Sequence, residues 1–469
     1  MTALDLSRLS AEIGSLRPTR TIGRVGAVNA GLLHVRGLGH DARIGDQLRV
    51  HLQDGRIIGG EVLQLSTDFA TMLPDSSPEG VALNDRVVLL DASTISPCAE
   101  WVGRVVDPFG QPIDGKPLLG GHTPVPLRAP PIAPALRRPL GARLETGMSV
   151  FNTLLPVVEG QRLGLFAGSG VGKTSLLAHF ASQMQADIVV IAMIGERGRE
   201  LREFIDNVLG KTGMQRAIII AATSDQSPLI RRRCAWAAMA VAEYFRDQGQ
   251  HVLFLADSIT RFAEAHREVA VAAGELPSLR GYPPSTSHTI MSLCERAGPG
   301  ASDSGTITAL MTVLVAGSDL EEPIADILRG VLDGHVVLDR EIAERGRYPA
   351  IDLLRSVSRS LPRAAAPEEN KVITEARQLL GVYAKSEMMI RAGLYAQGSD
   401  PLLDQAIRAW PELDAFIGEQ EKQDTENSFN RLRLILRRAA NTGKPKSSTQ
   451  QPNSAAELAK PRSRTNLRQ

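Results

Sequence analysis

The chain has 469 residues, 43% of them hydrophobic and 22% charged, enough for two or three domains with cores of their own. Its formal net charge of +1 excludes a global field for nucleic acid or membrane and leaves only local contacts. The three cysteines, Cys98, Cys234 and Cys294, are far apart and odd in number, which argues against a disulfide framework and for a reducing compartment.

The N-terminus lacks a basic run followed by an apolar core, so no secretory signal is expected. Apolar runs such as 187–194 are too short to span a bilayer. The expected location is the cytosol, unless the chain docks on a membrane assembly. Residues 1–20 form a leader in which Leu4, Leu6, Leu9, Ile13 and Leu16 recur at roughly helical spacing before Pro18. Two readings stand: a helix packing on its own domain, or a detachable amphipathic segment for a partner protein.

Residues 21–95 alternate short β-like runs with glycine turns: Thr21–Val28, Leu32–Val35, Gln47–Leu52, Gly60–Leu65 and Arg86–Leu90. This spacing predicts a small β-barrel. Its only Phe, Tyr or Trp is Phe69, whereas barrels that bind oligonucleotides offer stacking aromatics, so a structural barrel and no nucleic-acid partner are expected. Residues 96–140 are proline-rich and read as an ordered connector.

Residues 141–364 are read as the central domain. Apolar runs at Arg162–Phe166, Ile188–Ile194, Ala217–Ala222, Val252–Ala256, Ile307–Val315 and Val336–Leu338 alternate with helical stretches. That pattern predicts an α/β fold, a parallel sheet covered on both faces, with ligands at the carboxyl ends of its strands. Residues 365–440 read as a helical domain. Residues 441–469 read as a disordered basic tail that is either simply solvated or a contact for acidic lipid or a partner.

The run Ala167-Gly-Ser-Gly-Val-Gly-Lys-Thr174 follows one strand and leads into a plausible helix. This is the context a P-loop requires. Gly168, Ser169, Gly170, Val171, Gly172 and Ser175 would present backbone amides to phosphate oxygens. Lys173 would meet the β- and γ-phosphates of ATP, and Thr174 would hold Mg²⁺. The strict pattern has Gly where this chain has Ala167.

Glu196 ends the next strand, in Gly195-Glu-Arg-Gly-Arg-Glu200. It is either the carboxylate that polarises an attacking water or one member of a charge cluster at a helix N-terminus. Asp257 ends the apolar strand Val252–Ala256, the pattern of a Walker B aspartate reaching Mg²⁺. Arg261 is either structural or near the phosphates. Arg359, in Ser356-Val-Ser-Arg359, is either a surface ion pair or an arginine finger across a subunit interface.

Together with Leu255-Ala-Asp-Ser-Ile-Thr-Arg-Phe262, Arg280-Gly-Tyr-Pro-Pro284, Glu295-Arg-Ala-Gly298, Asp333-Gly-His335 and Tyr348-Pro-Ala-Ile-Asp352, these motifs resemble the F1/V1-like ATPase superfamily. Ala392-Gly-Leu-Tyr395 and Gln397-Gly-Ser-Asp400 resemble the type III secretion ATPases, and within them the flagellum-specific ATPases of the export apparatus. The resemblance covers about residues 20 to 440.

It implies an N-terminal β-barrel, a RecA-like P-loop core, a C-terminal helical domain and a homohexamer with ATP sites between subunits. Lys173 and Thr174 then match the P-loop pair, Glu196 the catalytic glutamate, Arg197 the arginine beside it, and Asp257 the Walker B aspartate. Tyr348 matches the aromatic that stacks on adenine, and Arg359 the finger from the neighbouring subunit. The resemblance also implies a regulator that binds the leader, and contacts with an export gate, a stalk-like protein and chaperone–substrate complexes. It places the chain in the cytoplasm, peripheral to the inner membrane.

Two positions depart from the family. Ser285-Thr-Ser-His288 stands where apolar residues usually follow, and Ser318 where an acidic residue is common. Competing readings are the injectisome version of the enzyme, a rotary synthase subunit, a non-catalytic nucleotide-binding ring and an RNA-tracking hexamer. One chain carrying both Glu196 and Arg359 needs only copies of itself, which argues against a divided synthase.

Overall fold

The computed structural model describes residues 19–441 except 40, 91–92, 316–319 and 422–423. The leader up to residue 18, the tail beyond Asn441 and the Ser318 departure therefore lie outside the described residues.

Strands β1 Ile22–Asn29, β2 Leu32–Arg36, β3 Gln47–His51, β4 Ile57–Leu65, β5 Ala70–Pro74 and β6 Arg86–Leu89 close a barrel in the order β1-β2-β5-β4-β3-β6. Alternate side chains, among them Val25, Leu33, Val35, Leu48, Val50, Val62 and Val87, fill its interior. β5 is absent from the sequence reading. It opens on Ala and ends on Pro, both weak strand formers, and is a strand because β2 and β4 pair with it on either side. Phe69 meets His34 edge-on, with ring centroids 4.8 Å apart.

The connector carries β7 Thr94–Ile95, β8 Val105–Val106 and β9 Val125–Pro126. β7 and β9 form a two-stranded ribbon, while β8 joins the main sheet. That sheet continues with β10 Arg162–Ala167, β11 Ile188–Glu196, β12 Ala217–Thr223, β13 His251–Asp257, β14 Gly298–Pro299, β15 Thr306–Leu314, β16 Gly334–Leu338 and β17 Ile351–Ser358. Its order is β17-β16-β10-β15-β13-β11-β12-β8, with β14 beside β15. The strands from β8 to β16 along this path run parallel, whereas β17 is antiparallel to β16.

The parallel strands are buried on both faces, which is why they read as continuous apolar runs. Val189, Ile191 and Met193 face one core cluster and Val190, Ala192 and Ile194 the other. β17 was not read as a strand: it is a half-exposed edge whose polar residues interrupt the pattern. β8 is too short to show any period.

The helices Pro367–Arg391, Pro401–Gly418 and Thr425–Ala440 form the C-terminal unit. Asp400 and Asp424 cap the second and third. Arg377 ties the unit to the core by donating to the carbonyls of Leu154 and Ser356. The barrel is tied down by Glu61, which pairs with Arg232 at 3.0 Å and Arg128 at 2.8 Å. The fold class is thus a RecA-like P-loop core with an N-terminal β-barrel and a C-terminal helical domain.

Candidate active site

Because β10, β11 and β13 run parallel, their carboxyl ends meet at one edge of the sheet. After β10 the chain turns through Gly170 and Gly172, with φ of +79° and +87°, a region that favours glycine. The helix Lys173–Gln183 starts immediately. Ala167 is the last residue of β10, paired between Leu314 and Leu338 and fully buried. Its methyl group therefore sits in the core rather than in the loop, and the departure from Gly leaves the turn intact.

Lys173 Nζ donates to Asp257 Oδ1 at the end of β13. Thr312, on the intervening β15, donates its hydroxyl to the same oxygen at 2.8 Å. Asp257 is 3% exposed, so these contacts offset the burial of a carboxylate. Glu196 ends β11 beside them. The register against β12 slips between Ile194 and Glu196, where Gly195 takes φ +69°. This bulge re-aims the glutamate out of the ladder.

Burial pushes the Glu196 carboxyl up to about 7; the nearby Asp257 carboxylate adds to the shift, and Lys173 opposes it. Glu196 is hydrogen-bonded to Glu200, which is held below the usual carboxylate range chiefly by that bond. Arg197 pairs with Glu200 at 3.1 Å and is largely exposed.

An open cleft of about 1060 Å³ is lined by Gly168, Ser169, Gly170, Gly172, Lys173, Thr174, Ser175, Glu196, Arg197 and Asp257. Val171 does not line it; its side chain is buried beneath the loop at 2% exposure. Tyr348 lies beside the loop: a Cβ on Gly172 would stand 3.2 Å from its ring. Arg359 is elsewhere. It follows Ser358, which pairs with Gly334 at the amino end of β16, and donates to the Arg329 carbonyl at 2.9 Å. Ala167 pairs with Leu338 at the other end of that strand, roughly 13 Å away along the sheet.

The cleft also recruits Thr260, Arg261, Glu264, Arg280, Tyr282 and Glu322. Arg261 was ambiguous in sequence and proves to face the cleft, with a buried Nε that has no partner among the described residues. Thr312 was missed, although a threonine inside an apolar strand was a signal for it. The oxygen donors Thr174 and Asp257 suit Mg²⁺, which binds one or two protein oxygens and completes its shell with phosphates and water. Among the described residues no group of three or more His, Cys, Asp or Glu could hold a metal by itself.

Residues 147–358 match the nucleotide-binding domain of the ATP synthase alpha/beta family, and residues 365–433 match the T3SS EscN ATPase C-terminal domain. The flagellum-specific ATP synthase of Caulobacter vibrioides is 42% identical over 437 residues, covering 91% of this chain and 98% of the relative. The chain belongs to the flagellar and type III secretion ATPase family. Two solved structures of that family have the same architecture. The assembled ATPase EscN from the enteropathogenic E. coli type III secretion system superposes with a TM-score of 0.82 at 34% identity. EscN in complex with its central stalk EscO gives 0.80 at 35%. Each comparison covers 88% of this chain and all of the other.

Proposed function

We propose that this chain hydrolyses ATP to ADP and phosphate in a homohexameric ring that energises chaperone release and export of flagellar proteins through the type III export apparatus. The observation that carries the reading is the convergence of Lys173, Asp257 and Glu196 on one cleft at the head of a P-loop. The amides of residues 168–175 and the positive end of the helix Lys173–Gln183 cradle the triphosphate. Lys173 neutralises the β- and γ-phosphates. Glu196 orients and deprotonates the attacking water, and Arg197 lies beside it. Tyr348, next to Gly172, stacks on adenine. Thr174 and Asp257 hold Mg²⁺, which neutralises phosphate charge when bound.

Arg359 cannot complete its own site from the far end of the sheet. It supplies the finger to a neighbouring copy, and this supports the ring. The stalk in the EscN–EscO complex supports a stalk-like partner here. The leader binds a regulator of the ATPase, while the export gate and chaperone–substrate complexes are further partners. No helix among the described residues is long and apolar enough to cross a membrane. The ring works in the cytoplasm, peripheral to the inner membrane.

The test is turnover and binding in two variants. Lys173→Ala loses nucleotide binding or turnover. Glu196→Gln keeps ATP binding, read with a fluorescent ATP analogue, but loses most phosphate release. Undiminished turnover in Glu196→Gln overturns the assignment of the base.

A further inference from the structure

Three threonines, Thr306, Thr308 and Thr312, interrupt the apolar strand β15. All three are buried, and each hydroxyl has a partner. Thr306 accepts from Arg138 at 3.2 Å, and Thr308 accepts from the Gly160 amide at 2.9 Å. Those two lie toward the amino end of the strand and tie it to neighbouring loops. Thr312 lies toward the carboxyl end, where the cleft is.

The sheet register sets what Thr312 meets. Leu165 of β10 stands opposite it on one side. On the other side Ala256 of β13 stands opposite Met311, so Asp257 is the next residue along and lies beside Thr312. A valine would fill the same space with no hydroxyl to bury. Burying the hydroxyl is tolerated because it is bonded.

That bond goes to one oxygen only. Thr312 Oγ1 donates to Asp257 Oδ1 at 2.8 Å, and Lys173 Nζ donates to the same oxygen. Oδ2 has no partner among the described residues, and it is not one of the atoms sealed in the core. Asp257 lines the cleft, whereas Thr312 does not.

The two donors to Oδ1 differ in what else they do. In the proposed function Lys173 also meets the β- and γ-phosphates, and its ammonium rides on a flexible stem. Thr312 has no second task. Its β-branched side chain is stiff at χ1, and β10 and β13 hold its strand on both sides. A group locked in this way fixes the geometry of the ligand it bonds. We propose that Thr312 is a positioning residue for Mg²⁺: by holding Oδ1 it fixes the Asp257 carboxylate and keeps Oδ2 available to the cation. The inference rests on the proposed role of Asp257 in holding Mg²⁺.

The test is binding of a fluorescent ATP analogue to the full-length chain, measured from EDTA through rising Mg²⁺. In the wild-type chain Mg²⁺ should tighten binding. Thr312→Val keeps the shape and removes the hydroxyl. It should raise the Mg²⁺ concentration that gives half of this gain by about tenfold, with the affinity in EDTA unchanged. Thr312→Ala, a second way to remove the hydroxyl, should give the same shift, and Thr312→Ser should restore most of it. No gain from Mg²⁺ in the wild-type chain overturns the role of Asp257 and the inference with it. A gain in the wild-type chain whose half-point is unmoved in Thr312→Val and Thr312→Ala overturns the inference alone. Equal losses of affinity in EDTA and in Mg²⁺ mean that the hydroxyl only supports the core, and they overturn it too.

Discussion

Chains carrying Glu196→Gln keep Arg359, and chains carrying Arg359→Ala keep Glu196. If the two residues act on one ATP from neighbouring copies, a ring assembled from both variants contains some intact interfaces. Within one chain the separation is set by the sheet: Arg359 follows the amino end of the β16–β17 pair, and the P-loop follows the carboxyl end of β10. In a 1:1 mixture assembled at random, about one interface in four joins an intact Glu196 to an intact Arg359. Loss of a general base costs roughly 10²–10⁴-fold. Loss of an arginine finger costs on the order of 10³–10⁵-fold. Each parent should therefore fall to about 1% of wild-type turnover or below, while the mixture should approach one quarter of it. The assay is phosphate release from co-expressed, differently tagged variants purified through both tags, so that only mixed rings are measured. A rate no higher than the mean of the two parents refutes an arginine finger acting in trans.

Three further outcomes follow from the geometry. If Glu196 is the base it must be ionised to take a proton, and burial holds its carboxyl up at about 7, so turnover should rise as pH increases through about 7. Glu200 contributes to that elevation, and Glu200→Gln should move the acidic limb of the pH–rate profile to lower pH; an unmoved limb counts against the coupling. Glu61→Ala leaves Arg232 buried without its carboxylate, a change that should cost about 3–5 kcal/mol. Urea unfolding should show a lower midpoint, and an unchanged midpoint would mean that this ion pair does not hold the barrel to the core. Gly172→Ala places a methyl group at φ +87° and 3.2 Å from the Tyr348 ring. Nucleotide affinity should fall by tenfold or more, at about 1–3 kcal/mol of backbone strain, and equal affinity in a fluorescent-nucleotide titration would exclude that strain.

Much of the candidate site was legible in the chain because phosphate chemistry is written locally. A glycine-rich turn, a lysine and a hydroxyl must be consecutive for backbone amides to curl around one anion, so residues 167–174 announce themselves. The strands that present Glu196 and Asp257 were equally legible, since a strand buried on both faces has to be apolar throughout. Elements whose identity depends on a neighbour were not. β5 and β17 are strands because partners lie alongside them, and neither has a period of its own. Thr312 acts on Asp257 only because β15 is inserted between β10 and β13.

The order of the strands in the sheet is a long-range property, set by which apolar faces bury each other, and no local pattern encodes it. The local sequence determined that this chain carries a P-loop, two apolar strands that each end in a carboxylate, and an arginine far along the chain. Tertiary structure decided which of these meet. It brought Lys173, Glu196 and Asp257 into one cleft and left Arg359 at the opposite end of the sheet. It also brought Arg128 of the connector over Trp236, beside Arg232 of the same helix. Proximity between residues 100 positions apart is decided by packing, and packing is settled only when the whole core closes.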